Sequence, residues 1–460
     1  MHPLLTVVLA AGKGTRMKSA LPKVLHPIAG LPMVCHVLRA ARAAGSERTA
    51  LVVGPGMDRV AQEASGETDA LEVFVQDQQL GTAHAVLAAR PLLARHQGDV
   101  LVLYGDTPLI SGDTLRRLRE ARDGGAPIPV LGFRPADPFG YGRLLTDDAG
   151  NLIAIREERD ASPAERAVGL CNSGVMAFRL PSVVGLLDRI GNSNAKGEYY
   201  LTDAVEIARR DGLRSVTVAG SERDVMGVNS RDQLAEAEAV WQAARRREVM
   251  LDGATLIAPE TVWLAHDTRL GRDVVIEPNV FFGPGVTVED RVVIKANSHI
   301  QGFDGKSREG AVIRAGAEIG PFARIRPGAD IGPDVHVGNF VEVKAAILEA
   351  GAKANPLAYI GDGRVGAGAN VGAGTIFCNY DGFFKHRTDV GRGAFVGSNS
   401  SLVAPVRIGD GAYVASGSVV TKDVAADALA ITRPVQCERP GWAAKFKVMM
   451  QRRKSSRAAE

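Results

Sequence analysis

Residues 5–23 read Leu-Thr-Val-Val-Leu-Ala-Ala-Gly-Lys-Gly-Thr-Arg-Met-Lys-Ser-Ala-Leu-Pro-Lys. The run from Leu4 to Leu9 is apolar, partly β-branched and uncharged, the pattern of a strand covered on both faces. Ala10, Ala11, Gly12, Lys13 and Gly14 follow it. Small side chains let the backbone approach a ligand closely, and glycine permits positive φ. Backbone N–H groups in such a turn, with a helix N-terminus behind them, attract phosphate. Lys13, Arg16 and Lys23 bring cationic side chains into the same segment. A triphosphate requires this combination of donors, positive charge and absence of bulk. Gly-x-Gly alone also fits any tight strand-to-helix turn. It lacks the third glycine of a dinucleotide fingerprint and is not a Walker A loop.

Outward from that stretch, 460 residues exceed one ordinary core, so two or more domains are expected. Aromatic residues make up only 5% while glycine reaches 52 residues, which points to a long segment of tight turns and small side chains. A net charge of +3 implies neither a nucleic-acid nor a membrane partner. Cys35, Cys171, Cys378 and Cys437 are scattered without Cys-x-x-Cys spacing. That argues against a disulfide framework or zinc site and makes a reducing cytoplasm the default. The apolar start is too short for a membrane span and has no basic leader.

Up to about residue 228, strand-like runs at 50–53, 72–75, 100–104 and 128–133 alternate with helical ones at 32–44, 83–93 and 113–123. Such alternation predicts a doubly wound, Rossmann-like α/β sheet, with ligands bound beyond the carboxyl ends of its strands. The glycine loop and Gly105-Asp106 both end strands, so topology puts them on one edge. Asp106 is a turn aspartate or a magnesium ligand. One carboxylate beside substrate oxygens suffices for Mg²⁺.

Taken whole, Leu-Ala-Ala-Gly-Lys-Gly-Thr-Arg-Met with Leu21-Pro22-Lys23 resembles the signature of the sugar-nucleotide pyrophosphorylases, the sugar-1-phosphate nucleotidyltransferases. The resemblance implies that Leu9, Ala10, Ala11, Gly12 and Lys23 contact the nucleotide and that Arg16, Lys23 and Asp106 are catalytic. Tyr104-Gly105-Asp106 and Asn229, in Gly227-Val228-Asn229, match its nucleotide and metal positions. The segment 76–85, with Gln76, Gly81 and Thr82, matches its uracil-reading segment. An amide and a backbone group can read the imide edge of uracil. Gly142 in Gly140-Tyr141-Gly142-Arg143, Glu157, Asn172 in Asn172-Ser173-Gly174, Thr202 in 198–203, and Asn229 again, match sugar-binding positions. Each has a plainer reading alone; their order along the chain is what carries weight.

Residues 229–250 predict one connecting helix, with Ser230 as candidate N-cap. The pattern then changes. Leu264, Leu270, Ile276, Phe282, Val288, Ile294 and Ile300 are spaced six apart. Ile319, Ile325, Ile331, Val337 and Val343 repeat the interval, as do Val365, Val371 and Phe377, and Val390, Val396, Leu402, Ile408, Val414 and Val420. A period of six with small neighbours predicts a parallel β-helix over 251–441, each aliphatic side chain stacking on its equivalent in the next coil. Residues 301–312 and 378–389 interrupt it, and such insertions project on a binding face. Residues 442–460 form a basic tail with Lys445, Lys447, Arg452, Arg453 and Lys454, mobile or reaching a ligand.

This half resembles the left-handed hexapeptide-repeat acyltransferases, which are typically trimers with acyl-CoA between neighbouring solenoids. The whole chain resembles the bacterial family that acetylates glucosamine-1-phosphate and uridylylates the product, an activity using UTP, N-acetylglucosamine-1-phosphate, acetyl-CoA and Mg²⁺. Arg326, Lys344, Tyr359 and Asn370 match acceptor-sugar positions. Ala373, Asn379, Tyr380, Ser398, Ser416 and Arg433 match acetyl-CoA positions. In that family the segment Asn355-Pro356-Leu357-Ala358-Tyr359 carries a general-base histidine where this chain has Pro356, which accepts no proton and fixes φ. Phe383-Phe384 also departs from the family loop, which has an Asn before the position of Lys385. His386 in that loop could substitute as base or be merely exposed. Two other readings stand beside this one: a pyrophosphorylase for another sugar with a regulatory or oligomerising solenoid, and a non-catalytic assembly subunit. Intact Arg16, Lys23, Asp106 and Asn229 oppose the second of these; the uracil-type segment and the retained CoA positions oppose the first.

Overall fold

The computed structural model describes residues 2–68, 70–123, 125–179, 182–304, 307 and 309–457. Two compact units emerge: Met1–Leu251 with Trp263–Thr268, and Asp252–Val262 with Arg269–Glu460.

The first unit is built on nine strands: β1 (Leu4–Ala10), β2 (Arg48–Val53), β3 (Leu71–Val75), β4 (Asp99–Tyr104), β5 (Ile128–Phe133), β6 (Arg143–Thr146), β7 (Leu152–Arg156), β8 (Cys171–Arg179) and β9 (Ser215–Ala219). Their spatial order is β3-β2-β1-β4-β8-β5-β9-β7-β6. The first four are parallel, as the alternation predicts. β1 is covered on both faces: Leu4 and Val8 enter one hydrophobic cluster, Leu5 and Val7 the other. The helix Met33–Ala43 lies on the first side and Thr82–Ala88 on the second.

Three local features depart from the sequence reading. β8 runs antiparallel between β4 and β5. Its Asn-Ser-Gly interior hides it from pattern reading, and the ladder shifts register between Asn172 and Met176, where a bulge takes up those residues. The helical run 83–93 is two pieces, Thr82–Ala88 and Arg90–Leu93, separated at Ala89 with Pro91 opening the second. No long helix stands behind the glycine loop. Gly14 is left-handed (φ 60°), and a single 3₁₀ turn, Thr15–Met17, follows. Pro22 soon ends any helical continuation. Phosphate attraction there must come from loop N–H groups and cations, not from a helix dipole.

The expected connecting helix spans Arg231–Leu251 and belongs to the first unit. Gln242, fully buried, donates to the Leu264 carbonyl (2.6 Å) and accepts from the Leu264 N–H (3.0 Å). A buried amide satisfied on both sides fixes the segment Trp263–Thr268 against the helix.

The second unit is a parallel β-helix. One face is a ladder of ten short strands from Thr255–Leu256 to Leu429–Ala430. The other two faces merge where Glu342–Leu348 and Tyr359–Val365 run unbroken around a corner. The spaced aliphatics line the interior: Ile276, Ile294, Ile319, Ile325, Val371 and Val396 are among those fully buried, and only Leu270 is partly exposed. Small or β-branched residues two positions earlier, such as Ala317, Ala323 and Ala329, fill the remaining space. The hexapeptide pattern lapses between Val343 and Val365, yet Leu348, Ala354 and Ile360 are buried there too. The continuous corner strands shorten the step, with Ala345 (φ 43°) and Asp362 (φ 51°) making the bend. Within the expected interruption at 301–312, residues 305, 306 and 308 lie outside the described residues, as do 458–460 of the tail. The tail otherwise contains the helix Trp442–Arg457.

Candidate active site

β1 and β4 are in register side by side, Leu9 opposite Tyr104, so the loops that leave them meet. A cavity of about 230 Å³ opens there, lined by Leu9, Ala10, Ala11, Gly12, Lys23, Gln76, Gly81, Thr82, Tyr104 and Asp106 among others. A second, of about 390 Å³, is lined by Arg16, Tyr104, Asp106, Gly140, Tyr141, Gly227 and Asn229 among others. Tyr104 and Asp106 line both. Gly105, between them, packs close to Val24 and Ala10, with room for no larger side chain than its hydrogen without a shift.

Two glycines illustrate the difference between folding and binding. A Cβ on Gly81 (φ 122°) would stand 2.5 Å from the Tyr199 carbonyl oxygen, so the fold itself requires glycine. A Cβ on Gly12 would meet no protein atom within 4 Å; its smallness leaves the cavity open.

At the junction of the cavities the Lys23 ammonium donates to Asp106 Oδ2 and, at 3.0 Å, to Asn229 Oδ1. The Val228 N–H donates to the Asp106 carbonyl (2.9 Å), tying the two oxygen-bearing residues together. Gln233 Oε1 accepts from the Asn229 N–H (2.8 Å). A carboxylate and an amide oxygen converging on one cation are hard-oxygen donors of the kind that suits Mg²⁺. Among the described residues no group of three His, Cys, Asp or Glu is placed to hold a metal. A magnesium site completed by phosphate oxygens does not need one.

Gln76 donates to the Gly81 carbonyl (3.1 Å) and lies 3.1 Å from His84 Nδ1, so its amide plane is held. Gln79, within the uracil-type segment, was not singled out by its sequence; its amide donates to the Ala11 carbonyl and latches this segment to the glycine loop. Gln233 was hidden in the same way by the plain character of its helix.

Four of the five expected sugar positions come together, while the fifth, Asn229, stands with Lys23. The Asn172 N–H donates to the Gly142 carbonyl (2.8 Å), a Cβ on Gly142 would lie 3.4 Å from Glu157 Oε1, and the Thr202 hydroxyl donates to Glu157 Oε1 (3.4 Å). Burial pushes the Glu157 carboxyl above its ordinary range, against the opposing pull of Lys196. Burial likewise raises the Tyr104 phenol, helped by Glu157 and Asp106.

In the solenoid the expected residues separate into groups. Arg326 pairs with Glu342 (2.8 Å), Lys344 lies 3.7 Å from Asp362, and Asn379 donates to Asp362 and to the Tyr359 hydroxyl (3.4 Å). Burial and the neighbouring Lys385 lower the Lys344 ammonium. Glu342, Asp362 and Lys385 are the members of this patch that motif reading passed over. Asn370 accepts from Asn355 (3.0 Å), the residue before Pro356.

Pro356, Ala373, Ser398 and Ser416 occupy one corner on successive coils. The carbonyl oxygens of Pro356, Ala373 and Ser398 each accept from the left-handed residue after the next member, Gly374, Asn399 and Gly417 (2.9, 2.8 and 2.8 Å). Proline followed by a left-handed residue suits a type II turn. The same corner carries Pro278-Asn279 and Pro321-Phe322, with φ of 60° and 57° at the second residue. Pro356-Leu357, with φ of 64° at Leu357, repeats this pattern of proline followed by a left-handed residue. Arg433 reaches the foot of this column, 3.9 Å from where a Gly417 Cβ would be. Tyr380 stands apart in the protruding loop, bonded to the Gly382 carbonyl.

Residues 6–167 match the MobA-like NTP transferase domain. Residues 267–302, 310–345 and 387–422 match the bacterial transferase hexapeptide repeat. The stretch left between the last two holds the shortened steps and the protruding loop. The chain is 60% identical to the bifunctional protein GlmU of Azorhizobium caulinodans, over 96% of each chain. It is 57% identical to that of Xanthobacter autotrophicus, over 96% of this chain and 97% of the relative, and 56% identical to that of a Bradyrhizobium species over the same shares.

Because Glu157 holds its proton more tightly folded than unfolded, the folded state loses relative stability as pH rises from the ordinary glutamate range through the raised value. Glu157→Gln is therefore expected to raise the chemical-denaturation midpoint at pH 7 and to raise it much less at pH 4, where the carboxyl is mostly protonated in both states. Equal shifts at both pH values would contradict the assignment.

With near-full-length relatives of one name and both halves matched, a nucleotidyltransferase and a hexapeptide-repeat transferase, the chain belongs to the GlmU family of bifunctional enzymes.

Proposed function

We propose that the first unit transfers UMP from UTP to N-acetylglucosamine-1-phosphate, giving UDP-N-acetylglucosamine and pyrophosphate. The convergence of Lys23, Asp106 and Asn229 at the mouth of the cavity beyond β1 carries this reading. A phosphate oxygen of the sugar phosphate attacks the α-phosphorus of UTP in line, and the bond to the pyrophosphate oxygen breaks. The nucleophile is an anion at neutral pH, so no base is required. Catalysis is positioning and charge neutralisation. Asp106 and Asn229 would hold Mg²⁺, which supplies neutralisation of the phosphates. Arg16 and Lys23 add positive charge, and Gly12 leaves room for the triphosphate. Gln76 and the Gly81 backbone read uracil; Gly142, Glu157, Asn172 and Thr202 hold the sugar. The free cysteines agree with a reducing compartment, and among the described residues no helix is long and apolar enough to cross a membrane. Asp106→Ala is expected to lose most uridylyl transfer with the fold intact by circular dichroism. Near-normal turnover with Mg²⁺ would refute the metal assignment.

The solenoid is the glucosamine-1-phosphate N-acetyltransferase half, with Arg326, Lys344, Tyr359 and Asn370 on the acceptor and Ala373, Asn379, Tyr380, Ser398, Ser416 and Arg433 on acetyl-CoA. The acceptor amine must be neutral to attack the thioester carbon and expel the CoA thiolate. Pro356 takes no proton from it. Removing a general base costs about 10²- to 10⁴-fold. Acetyl transfer is accordingly slow and rises with pH as more amine is unprotonated. Pro356→His restores it at least in part; if the unmodified chain acetylates glucosamine-1-phosphate as fast as this variant, the base assignment fails.

The active assembly is a trimer. Phe322, Phe340 and Leu357 adopt left-handed φ at one corner on successive coils, where neighbouring coils use Asn or Gly. Bulky residues are rare in that region of φ, and these three are all exposed, with Phe322 and Phe340 stacked at 5.0 Å. Such an apolar ladder beside the Pro356 column suits burial against another solenoid. Light scattering at micromolar concentration is expected to give the mass of three chains; a monomer would overturn this and weaken the CoA-site assignment.

A further inference from the structure

Among the described residues, Lys23 is the one cation bonded to both oxygen ligands expected for the metal. The fold places it there. Pro22 ends the preceding segment, and Lys23 opens the turn Lys23–Leu25, anchored by buried Val24 and Leu25. Gly14 packs against its stem: a Cβ there would lie 2.6 Å from Lys23 Cβ. The side chain is 11% exposed and Asp106 is 22% exposed, so water screens the pair only in part. Asp106 and Asn229 are themselves fixed by the Val228 and Gln233 hydrogen bonds.

We infer that, without nucleotide, Lys23 occupies the place of the divalent ion between Asp106 and Asn229, so that the ion binds weakly until a triphosphate draws the ammonium away. Two cations close to one carboxylate repel each other, and in a partly buried site that repulsion is strong. A triphosphate removes the conflict by offering Lys23 other oxygens. The four-carbon stem is flexible and already lines the cavity, so a rotation about it suffices. Nucleotide and metal then bind cooperatively, each strengthening the other by the same factor. The inference rests on the metal-dependent reading above. Its test reads binding, whereas the Asp106→Ala assay reads turnover, so the two fail separately.

The probe is Mn²⁺ without nucleotide, its free fraction followed by electron paramagnetic resonance with the full chain. Lys23→Met is expected to bind Mn²⁺ about tenfold or more tighter than the unmodified protein, and Lys23→Met/Asp106→Asn to lose the gain. Equal affinities, or a gain that survives Asp106→Asn, overturn the inference. A second readout needs no variant. Acetylation of the Lys23 amine by an N-hydroxysuccinimide ester, read by peptide mass spectrometry, is expected to rise when Mn²⁺ loads the nucleotide-free protein. Unchanged labelling at half-loading overturns it as well.

Discussion

The withdrawal of β1 from water on both faces is the constraint on which the catalytic half depends. Leu5 and Val7 face one hydrophobic cluster and Leu4 and Val8 the other, so the strand can neither slide nor turn over without exposing one set. Its register with β4 follows, and with it the meeting of the glycine loop with Tyr104 and Asp106. The cavity beyond β1 is therefore positioned by core packing, and the smallness of Gly12 keeps it open. Gly81 shows the reverse arrangement, a lining residue whose backbone is pinned by Tyr199.

How far the sequence reveals this differs between the halves. The parallel strands of the first unit announce themselves through continuous apolar runs. β8 does not, because the Asn172-Ser173-Gly174 stretch interrupts its pattern and is taken up by a bulge. The motif proposed to hold the sugar was legible and its strand was not, for the same physical reason. The helix assumed behind the glycine loop is missing because a left-handed Gly14 and Pro22 leave space only for a 3₁₀ turn. Gln79 and Gln233 act through hydrogen bonds to backbone groups distant in sequence or on the next turn, and composition gives no hint of such a partner.

The solenoid is legible wherever its period is regular, since each hexad repeats one packing solution. Between Val343 and Val365 the interior remains filled, but the bends at Ala345 and Asp362 break the count. The same bends bring Lys344, Tyr359, Asp362 and Asn379 onto one patch. Irregularity in the repeat and concentration of polar chemistry thus coincide, as expected where an otherwise uniform coil is shaped for a ligand.

The corner occupied by Pro356 has a consequence for how this protein can change over time. The turn there needs only a compatible first residue and a left-handed second one, and proline meets the first need at Pro278 and Pro321 as well. Folding is therefore indifferent to whether that position carries an imidazole. On the base assignment proposed above, retention of a proton acceptor there rests on demand for the acylated product, so a lineage supplied with that product from another source can shed the chemistry while keeping the turn.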